Sequence, residues 1–388
     1  MTPTRRLYEE TPTLRAFDAA VLECRPDPAA DGYWETVLDA TAFYPEGGGQ
    51  PCDLGLLGEE PVLAVRVDGD GVIRHRTAHP LPVGTALHGE IDWARRFDHM
   101  QQHTGEHILS GILHSLYGAE NVGFHIGSPA VRVDVSLPLT ADQLARAEEL
   151  ANDTVQADRP VRCWVPPRAE LADLPYRSKK EIEGEVRLVD AGGADLCACC
   201  GTHVATTGQV GLIKILSAQH YKGGVRLAVA CGKRACQAVC ALWKDSQRAG
   251  ALLSVPAGES TRAVQRLLDA QSADRQRLAA LQNALADRTA AAAAPGETLV
   301  LFLEGPDPDG LRRICLAAAQ KTGARCAVFA PGGQGLSYAL SDPEDTRTLC
   351  RRLNAQFGGR GGGKAGFCQG SLPADADRQA VEEFLRRA

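Results

Sequence analysis

Residues 94–118 read ARRFDHMQQHTGEHILSGILHSLYG, and this stretch decides how the middle of the chain folds. Its apolar residues recur at the three- and four-residue intervals that place side chains on one face of a helix. They are Met100, Ile108, Ile112, Leu113 and Leu116. Gly118 follows them directly, as glycine often does where a helix ends. The stretch therefore predicts a long amphipathic helix that ends at Gly118.

The segments around this helix predict an α+β fold in four parts. Residues 1–92 contain short strand patterns such as PVLAVRVDGDGVIRH at 61–75, and they predict a β-barrel-like domain. Residues 93–245 mix helical and strand patterns and predict an α+β domain. Residues 246–295 predict a helical linker, either one long helix or a helical hairpin, because their leucines follow a 3.5-type spacing. Residues 296–388 alternate strands and helices and predict a small α/β domain.

The composition limits the classes of function. The net charge of −6 argues against a general nucleic-acid coat, so any bound polyanion must meet local basic patches. The thirteen cysteines form an odd set that does not fit a closed disulfide framework, and their cluster at 197–240 favours metal or thiol chemistry in a reducing compartment. The N-terminal residues lack the apolar stretch of a signal peptide, and no apolar run is long enough for a membrane helix. We therefore expect a cytoplasmic protein with no membrane partner.

Two short motifs supply candidate metal ligands. His103 and His107 lie four residues apart, so a helix places both imidazoles on one face. Cys199 and His203 form a second pair with the same spacing, and thiolate and neutral imidazole are ligands that zinc prefers. Either pair alone is more often an ordinary buried or surface pair. The two pairs together predict a tetrahedral Zn²⁺ site.

The first motif also fits a competing pattern. The residues His103-Thr-Gly-Glu-His107 match H-x-x-E-H, the inverted signature of a family of zinc metallopeptidases. In this alternative Glu106 is the general base and a later glutamate is the third ligand. The candidates for that ligand are Glu181, Glu183 and Glu185. The alternative leaves Cys199 and His203 without a role, so we rank it lower.

A glycine-rich motif lies within the predicted β-rich part. Residues 43–51 read FYPEGGGQP, with Gly47, Gly48 and Gly49 followed by Gln50. Adjacent glycines let the backbone approach a ligand or a neighbouring chain segment closely, whereas a plain loop between strands would have the same composition. The sequence leaves both alternatives open.

A second glycine-rich motif, GGRGGGK at 358–364, resembles the phosphate loop of nucleotide hydrolases only in part. Ala365 stands where that loop needs a hydroxyl for magnesium, so the sequence argues against nucleotide hydrolysis. A glycine-rich nest with Arg360 and Lys364 could still bind a phosphate backbone, and a flexible surface loop is an equal alternative.

Three of these motifs, in this order, resemble those of the free-standing alanyl-tRNA editing proteins of the AlaX type. They are FYPEGGGQP at 43–51, MQQHTGEHIL at 100–109 and CCGTHV at 199–204. They are also similar to the editing region of alanyl-tRNA synthetase. GGRGGGKAGFCQG at 358–370 resembles the glycine-rich part of the DHH-associated domain that ends this synthetase. The resemblance covers essentially the whole chain, and the two ligand motifs are its most specific part.

The resemblance implies a long-form editing protein with a zinc-dependent tRNA editing domain at 93–245 and a DHH-associated-like α/β domain at 296–388. It implies hydrolysis of the ester in tRNA(Ala) mischarged chiefly with serine and secondarily with glycine. It implies a Zn²⁺ site at His103, His107, Cys199 and His203, and it places Thr104 at the position that senses the serine hydroxyl. Cys200 departs from the synthetase motif, which has glycine there, so either sulfur could be the ligand. ATP-dependent charging of tRNA is not expected.

The mechanism implied in this way remains a hypothesis. Zn²⁺ would position the 3′-terminal ester or activate a water molecule, and Glu106 would order that water or a histidine ligand. Thr104 would favour serine by pairing with its hydroxyl. The basic residues that we expect to contact tRNA are Arg95, Arg96, Arg177, Lys179, Lys180, Arg360 and Lys364. A non-catalytic tRNA-binding module with a structural zinc is the alternative. A homodimer through the helical or C-terminal segment is a further expectation, although Gln271 and Arg275 interrupt the leucine seam of the helical segment.

Overall fold

The computed structural model describes residues 2–178, 184–333 and 335–388 of the chain. These residues form two compact units, Met1–Asp245 and Ser246–Ala388. The predicted division into four parts stays a prediction. Within the described residues, no helix combines the length and the apolar character needed to cross a membrane.

Short strands make up most of the first 92 residues. The elements are β1 (Arg5–Arg6), α1 (Leu7–Glu10), β2 (Ala16–Pro26), β3 (Trp34–Leu38), β4 (Ala40–Thr41), β5 (Gly55–Leu57), β6 (Glu60–Val62), β7 (Ala64–Val67), β8 (Ile73–Thr77) and β9 (Ala86–Ile91). Seven strands form one sheet in the order β6-β5-β9-β2-β3-β8-β7. The two edge strands, β6 and β7, are consecutive in the sequence, so the sheet nearly closes into a barrel.

The hairpin of β7 and β8 shows how the sequence builds this sheet. Its strands are antiparallel, and they are joined by a turn that contains Gly69, Asp70 and Gly71. Asp68 stabilises the turn because its Oδ1 accepts hydrogen bonds from the backbone N–H groups of Asp70 and Val72, at 3.1 and 3.0 Å. Every second residue of β8 is buried, which agrees with one face packed on the core of the sheet.

The long helix predicted from residues 94–118 is confirmed. Helix α2 (Trp93–Tyr117) begins after Asp92, whose side chain accepts a hydrogen bond from the backbone N–H of Arg95. It ends at Gly118, which adopts the left-handed conformation with φ of 67°. Residues 99–113 of this helix are all buried, so α2 is the central helix of the first unit rather than a surface helix.

The elements that follow α2 surround it with two small sheets. They are β10 (Asn121–Ile126), β11 (Val131–Val135), α3 (Ala141–Gln156), β12 (Val161–Trp164), α4 (Arg168–Leu171), β13 (Leu188–Ala191), β14 (Leu196–Ala198), a short 3₁₀ helix (Thr207–Val210), β15 (Ile213–Tyr221), β16 (Gly224–Cys231) and α5 (Gly232–Leu253). One sheet has the order β10-β11-β16-β15 and the other β12-β13-β14. Apolar residues of α2, α3 and the first sheet form one core, so this part is α+β as predicted.

The second unit contains a five-stranded sheet. Its elements after α5 are α6 (Ser260–Ala292), β17 (Leu299–Phe302), α7 (Pro308–Thr322), β18 (Cys326–Gly332), β19 (Gly335–Ser341), α8 (Thr346–Phe357), β20 (Arg360–Lys364), β21 (Phe367–Pro373) and α9 (Arg378–Arg387). The sheet order is β17-β18-β19-β21-β20, and β17 and β18 are its parallel pair. Residues 360–364 of the second glycine-rich motif form the edge strand β20, which differs from both the nest and the flexible loop.

Helix α6 decides between the two alternatives for the predicted helical linker. The leucine-containing residues from Val264 to Leu285 lie in one continuous helix of 33 residues rather than in a hairpin. Residues 246–253 of the predicted linker belong to the end of α5. Several large apolar side chains of α6 are exposed, among them Leu267, Leu278 and Leu281. The predicted homodimer stays a prediction.

Candidate metal centre

Helix α2 and the loop after β14 bring the four predicted ligands together. His103 and His107 lie one turn apart on α2, and their ring centroids are 5.2 Å apart. Cys199 and His203 lie in the loop that begins where β14 ends. One ligand atom from each of the four residues lies within 4.8 Å of the others. Such an N₃S set is a donor set that suits zinc.

Hydrogen bonds to the second ring nitrogen orient each of the three histidines. The Nδ1 atom of His103 lies 2.8 Å from Gln50 Oε1, and the Nδ1 atom of His107 lies 2.9 Å from Asp195 Oδ2. Because an amide oxygen and a carboxylate only accept, Nδ1 carries the proton in both rings. In His203, Nδ1 lies 3.1 Å from the hydroxyl of Thr104. Each ring is thus left with Nε2 for a metal ion, the arrangement usual for liganding histidines.

An unpartnered nitrogen tests whether these residues fit a metal ion. The Nε2 atom of His203 is buried and has no hydrogen-bond partner among the described residues. A buried polar atom without a partner is costly, and a bound metal ion would satisfy it. The Nε2 atom of His103 lies 3.4 Å from Cys199 Sγ, so ring and sulfur face the same point. The donor set therefore fits the implied Zn²⁺.

The charges around the four residues favour a cation. Burial raises the pKa of the Cys199 thiol, but His103 and His107 together lower it by more than burial raises it. The resulting pKa of the thiol lies well below 9. Burial lowers the pKa of His203 to about 3, so its imidazole is neutral. Burial opposes a charged His107, but Cys199 and Asp195 raise the pKa of that imidazole well above 6.5. A thiolate and a neutral imidazole are the forms that bind zinc, and anions that attract a proton also attract a metal cation.

The loop that holds Cys199 has no room for a side chain at Gly201. A Cβ atom there would lie 2.1 Å from His103 Cε1, so only glycine allows this approach. The side chain of Arg187 holds the same loop, because its NH1 donates to the carbonyl oxygens of Cys199 and Gly201 at 2.8 and 3.0 Å. Cys199, and not the exposed Cys200, supplies the sulfur of the four-residue group.

A cavity of about 330 Å³ opens beside the four residues. Its walls include His103, His107 and Cys199 together with Tyr44, Gly48, Glu106, Asn121, Phe124, Arg177, Ser178, Cys197, Ala198, Cys200 and Gly201. The carboxylate of Glu106 is held through Oε1, which accepts hydrogen bonds from Ser110 Oγ and Asn121 Nδ2. These bonds fix the carboxylate at the cavity wall, one helical turn from His103.

Thr104 contacts the candidate ligand His203 and does not line the cavity. Its side chain is fully buried, and its Oγ1 accepts a hydrogen bond from the backbone N–H of Val204 at 3.2 Å. The same oxygen is the partner of His203 Nδ1. The hydroxyl of Thr104 therefore orients His203, a contact that the sequence did not reveal.

Comparison with known proteins places the chain in a family. The alanyl-tRNA editing protein Aarsd1-A of Xenopus laevis is 30% identical over 91% of this chain and 88% of its own length. The chain belongs to the alanyl-tRNA editing protein family. Residues 186–227, which contain Cys199 and His203, match the family described as the threonyl and alanyl tRNA synthetase second additional domain.

The chain is also similar to part of much longer enzymes. The alanine–tRNA ligase of Pyrobaculum neutrophilum is 35% identical over 99% of this chain, but the chain spans only 44% of the length of that ligase. The C-Ala domain of Aquifex aeolicus alanyl-tRNA synthetase matches 24% of this chain and 94% of its own with 18% identity. Its TM-score of 0.22 is too low to establish a shared fold.

The first glycine-rich motif packs against β10. Gly48 and Gly49 have φ of 58° and 85°, in the region that favours glycine. A Cβ atom on Gly49 would lie 2.4 Å from the carbonyl oxygen of Phe124, and the carbonyl oxygen of Gly49 accepts a hydrogen bond from Ile126 at 2.8 Å. Of the two alternatives, the structure favours close approach to a neighbouring segment. The side chain of the next residue, Gln50, contacts His103.

The prediction that Arg96 contacts tRNA is wrong. Its side chain is fully buried, and its Nε donates to Asp53 Oδ2 at 2.8 Å. Its NH1 donates to the carbonyl oxygen of Pro12, and its NH2 contacts Asp53 and the carbonyl oxygen of Ala42. Arg96 joins α2 to three loop residues of the β-rich part and is out of reach of a phosphate. The sequence pattern alone could not separate this arginine from the adjacent Arg95.

The other basic candidates have different surroundings. Arg95 is half-buried and donates to the carbonyl oxygen of Cys52 at 3.0 Å. Arg177 lines the cavity, with its Nε 2.8 Å from Asp195 Oδ1 and its NH1 3.4 Å from Glu120 Oε2. Arg360 and Lys364 are exposed on β20. Lys179 and Lys180 lie outside the described residues.

The metallopeptidase alternative gains nothing from the structure. Glu185 is exposed and is not part of the four-residue group, and Glu181 and Glu183 lie outside the described residues. Cys199 and His203, which this alternative leaves without a role, lie beside His103 and His107.

Sequence reasoning missed several residues of the site. Asp195 was missed although it lies four residues before Cys199, where a carboxylate near a ligand motif is a usable signal. Asn121 is the first residue of β10, and Arg187 directly precedes β13. Neither residue belongs to a recognisable motif. Only the tertiary fold shows that they contact Glu106 and the Cys199 loop.

Proposed function

We propose that this chain is a trans-editing aminoacyl-tRNA hydrolase of the cytoplasm. It would deacylate tRNA(Ala) mischarged chiefly with serine, and also with glycine, at a zinc site. The observation that carries the proposal is the group of His103, His107, Cys199 and His203, whose ligand atoms lie within 4.8 Å of one another. The first three of these residues lie in the wall of a cavity. Membership of the alanyl-tRNA editing protein family supports the substrate class.

The four side chains would hold Zn²⁺ through Sγ and three Nε2 atoms. Bound Zn²⁺ supplies Lewis acidity, which polarises a carbonyl oxygen or lowers the pKa of a water molecule. Asp195 keeps the proton of His107 on Nδ1, and Arg177 in turn holds Asp195. These contacts keep the ligands in place before substrate binds, which lowers the cost of ordering them during the reaction.

Glu106 and Thr104 are the two side chains that we propose for catalysis and selectivity. The carboxylate of Glu106, fixed by Ser110 and Asn121, would orient a water molecule toward the acyl carbonyl. Thr104 is buried against His203, so it would act on selectivity through the position of that imidazole. The modest chemistry required fits an aminoacyl ester, which is already reactive.

Contacts to tRNA would come from separate basic side chains. With Arg96 removed, the proposed set is Arg95, Arg177, Lys179, Lys180, Arg360 and Lys364. Because the net charge is −6, phosphate contacts of this kind should be local and should weaken as salt rises.

The experiment is single-turnover deacylation of seryl-, glycyl- and alanyl-tRNA(Ala) by the wild-type protein and by Thr104→Val. We expect the wild type to hydrolyse seryl-tRNA(Ala) fastest and alanyl-tRNA(Ala) slowest. Thr104→Val should reduce the preference for serine, because His203 loses its Nδ1 partner. Equal rates on all three wild-type substrates would contradict the selectivity. Binding of tRNA without hydrolysis would instead indicate a non-catalytic module with a structural zinc.

A further inference from the structure

The side chain of Gln50 connects the glycine-rich motif to two separate parts of the candidate metal centre. It is 1% exposed, and its Oε1 lies 2.8 Å from His103 Nδ1 and 3.3 Å from the backbone nitrogen of Thr202. Its Nε2 donates to Thr202 Oγ1 at 2.8 Å. Gln50 thus contacts one ligand directly and the loop between the other two, although it lies in a distant part of the sequence.

We propose that Gln50 is a positioning residue that fixes the tautomer and the ring orientation of His103, and so sets the affinity for the metal ion. This inference rests on the zinc site of the proposed function and gives the glycine-rich motif a specific task. Neither the family resemblance nor the ligand motifs assign such a role to this glutamine.

The hydrogen bonds allow one orientation of the amide. With Oε1 toward His103, that oxygen accepts from Nδ1–H and from the N–H of Thr202, while Nε2 donates to a hydroxyl. The opposite orientation would place an NH₂ group against the backbone N–H of Thr202, which can only donate. The amide therefore requires the proton of His103 on Nδ1, which leaves the lone pair on Nε2 beside Cys199 Sγ.

Glycines on both sides make room for this contact. Gly49 allows the motif to approach the carbonyl oxygen of Phe124, where a Cβ atom would lie at 2.4 Å. A Cβ atom on Gly201 would lie 2.1 Å from His103 Cε1 and 3.1 Å from Gln50 Oε1. Phe124 also stacks on the ring of His103, with centroids 4.9 Å apart. The imidazole is therefore held on its face by Phe124 and at its edge by Gln50.

The three histidines have partners of different chemistry, and this difference predicts which variants preserve the site. His107 has a carboxylate partner in Asp195, whereas His103 has a neutral amide in Gln50. A glutamate at position 50 could also accept from Nδ1–H and from the N–H and hydroxyl of Thr202. Methionine has a similar length but lacks the amide oxygen that orients Nδ1–H.

The experiment measures the affinity of the full chain for Zn²⁺ by competition with a chromophoric chelator. We expect Gln50→Met to weaken binding by about 10–100-fold, the range for removal of a residue that orients a metal ligand. Gln50→Glu should keep the wild-type affinity or tighten it. The matched control is Gln102→Met, because Gln102 is equally buried but its amide pairs with the backbone of Cys231, at 2.9 and 2.8 Å. This control should lower stability and leave Zn²⁺ affinity unchanged.

A second measurement separates positioning from a general structural role. In ¹⁵N-histidine NMR spectra, the Zn²⁺-loaded wild type and Gln50→Glu should show His103 protonated at Nδ1, and Gln50→Met should lose the protection of that proton from exchange. Equal Zn²⁺ affinity in the wild type and Gln50→Met would overturn the inference, as would equal losses in Gln50→Met and Gln102→Met. If the wild type bound no Zn²⁺, the metal site on which the proposed function rests would be contradicted. If it bound Zn²⁺ tightly but did not deacylate tRNA, only the proposed function would be contradicted.

Discussion

The two glycine-rich stretches have similar composition and different surroundings. Gly47–Gly49 form a tight turn against β10, with positive φ at two positions, and they bring the buried side chain of Gln50 to His103. Gly361–Gly363 lie in the extended edge strand β20, all of whose residues are exposed. In that strand a Cβ atom on Gly362 would meet nothing within 4 Å.

The difference teaches that a run of glycines has no function of its own. In the first stretch, glycines lack the side chains that would keep the motif away from β10, so the two backbones approach closely and Gln50 contacts His103. In the second stretch, glycines form a strand edge flanked by the exposed cations Arg360 and Lys364. Substitutions should therefore have large and localised effects in the buried region. On the exposed strand, the effect should be small at Gly362, and small and salt-dependent at Arg360 and Lys364.

The largest effect is expected from Cys199→Ser in the buried region. Removing the thiolate should abolish stoichiometric Zn²⁺ and deacylation of seryl-tRNA(Ala), because zinc binds a serine hydroxyl poorly. Metal content by elemental analysis and single-turnover rates check this expectation. Cys200→Ser is the control and should retain both. If Cys200→Ser lost the metal and Cys199→Ser kept it, the ligand assignment would be reversed.

Arg96→Met should be the most destabilising change among the basic residues. It leaves Asp53 buried without its cation, and breaking a buried pair in this way costs about 3–5 kcal/mol. Urea denaturation of the full chain measures the loss. Arg95→Met is the control, because Arg95 is half-buried and has a single backbone contact at Cys52. Equal stability of the two variants would contradict the structural role of Arg96.

Gly49→Ala and Gly362→Ala compare the two glycine-rich stretches directly. At Gly49 the added methyl group meets Phe124 and the backbone has positive φ, so we expect a loss of about 1–3 kcal/mol together with weaker Zn²⁺ binding. At Gly362 the methyl group meets open space, and stability should stay within about 0.5 kcal/mol of the wild type. Thermal denaturation and chelator competition measure both effects. Similar losses in both variants would remove the distinction between the two stretches.

The smallest effect is expected from Arg360→Gln and Lys364→Gln on β20. Each should weaken tRNA binding modestly and reduce the slope of log affinity against log salt by roughly one for each phosphate that is no longer neutralised. Stability and the rate of deacylation at saturating tRNA should not change, since both side chains are exposed. An unchanged salt slope would show that these cations are ordinary surface charge.

The helix at the centre of the first unit shows how far sequence reasoning reaches. The apolar spacing and Gly118 predicted α2 almost to the residue, because helix periodicity and a glycine stop are local properties. The same reasoning missed β10, β14 and β20, whose sequences NVGFHI, LCA and RGGGK carry weak strand signals. Such short strands form because neighbouring strands offer hydrogen bonds, which a local pattern does not contain.

In the candidate site, too, some features could be predicted from the sequence and others could not. His103, His107, Cys199 and His203 could be named from residue type and spacing, because metal ligation requires particular atoms in particular motifs. The contacts of Gln50, Asp195 and Thr104 with the imidazoles could not be named, since each depends on segments that meet only in the fold. Arg96 was misjudged because a buried arginine and a phosphate-binding arginine look alike in a sequence.

The sequence alone therefore named the candidate histidine ligands, the central helix and the family resemblance, all of which depend on residue identity and short spacing. Only the tertiary structure decided which sulfur joins the ligands, which arginine is buried and which side chains orient the histidines. The physical reason is that burial and hydrogen-bond partners are properties of residues brought together from distant segments. A sequence motif specifies the atoms of a site, and packing specifies their surroundings and their protonation.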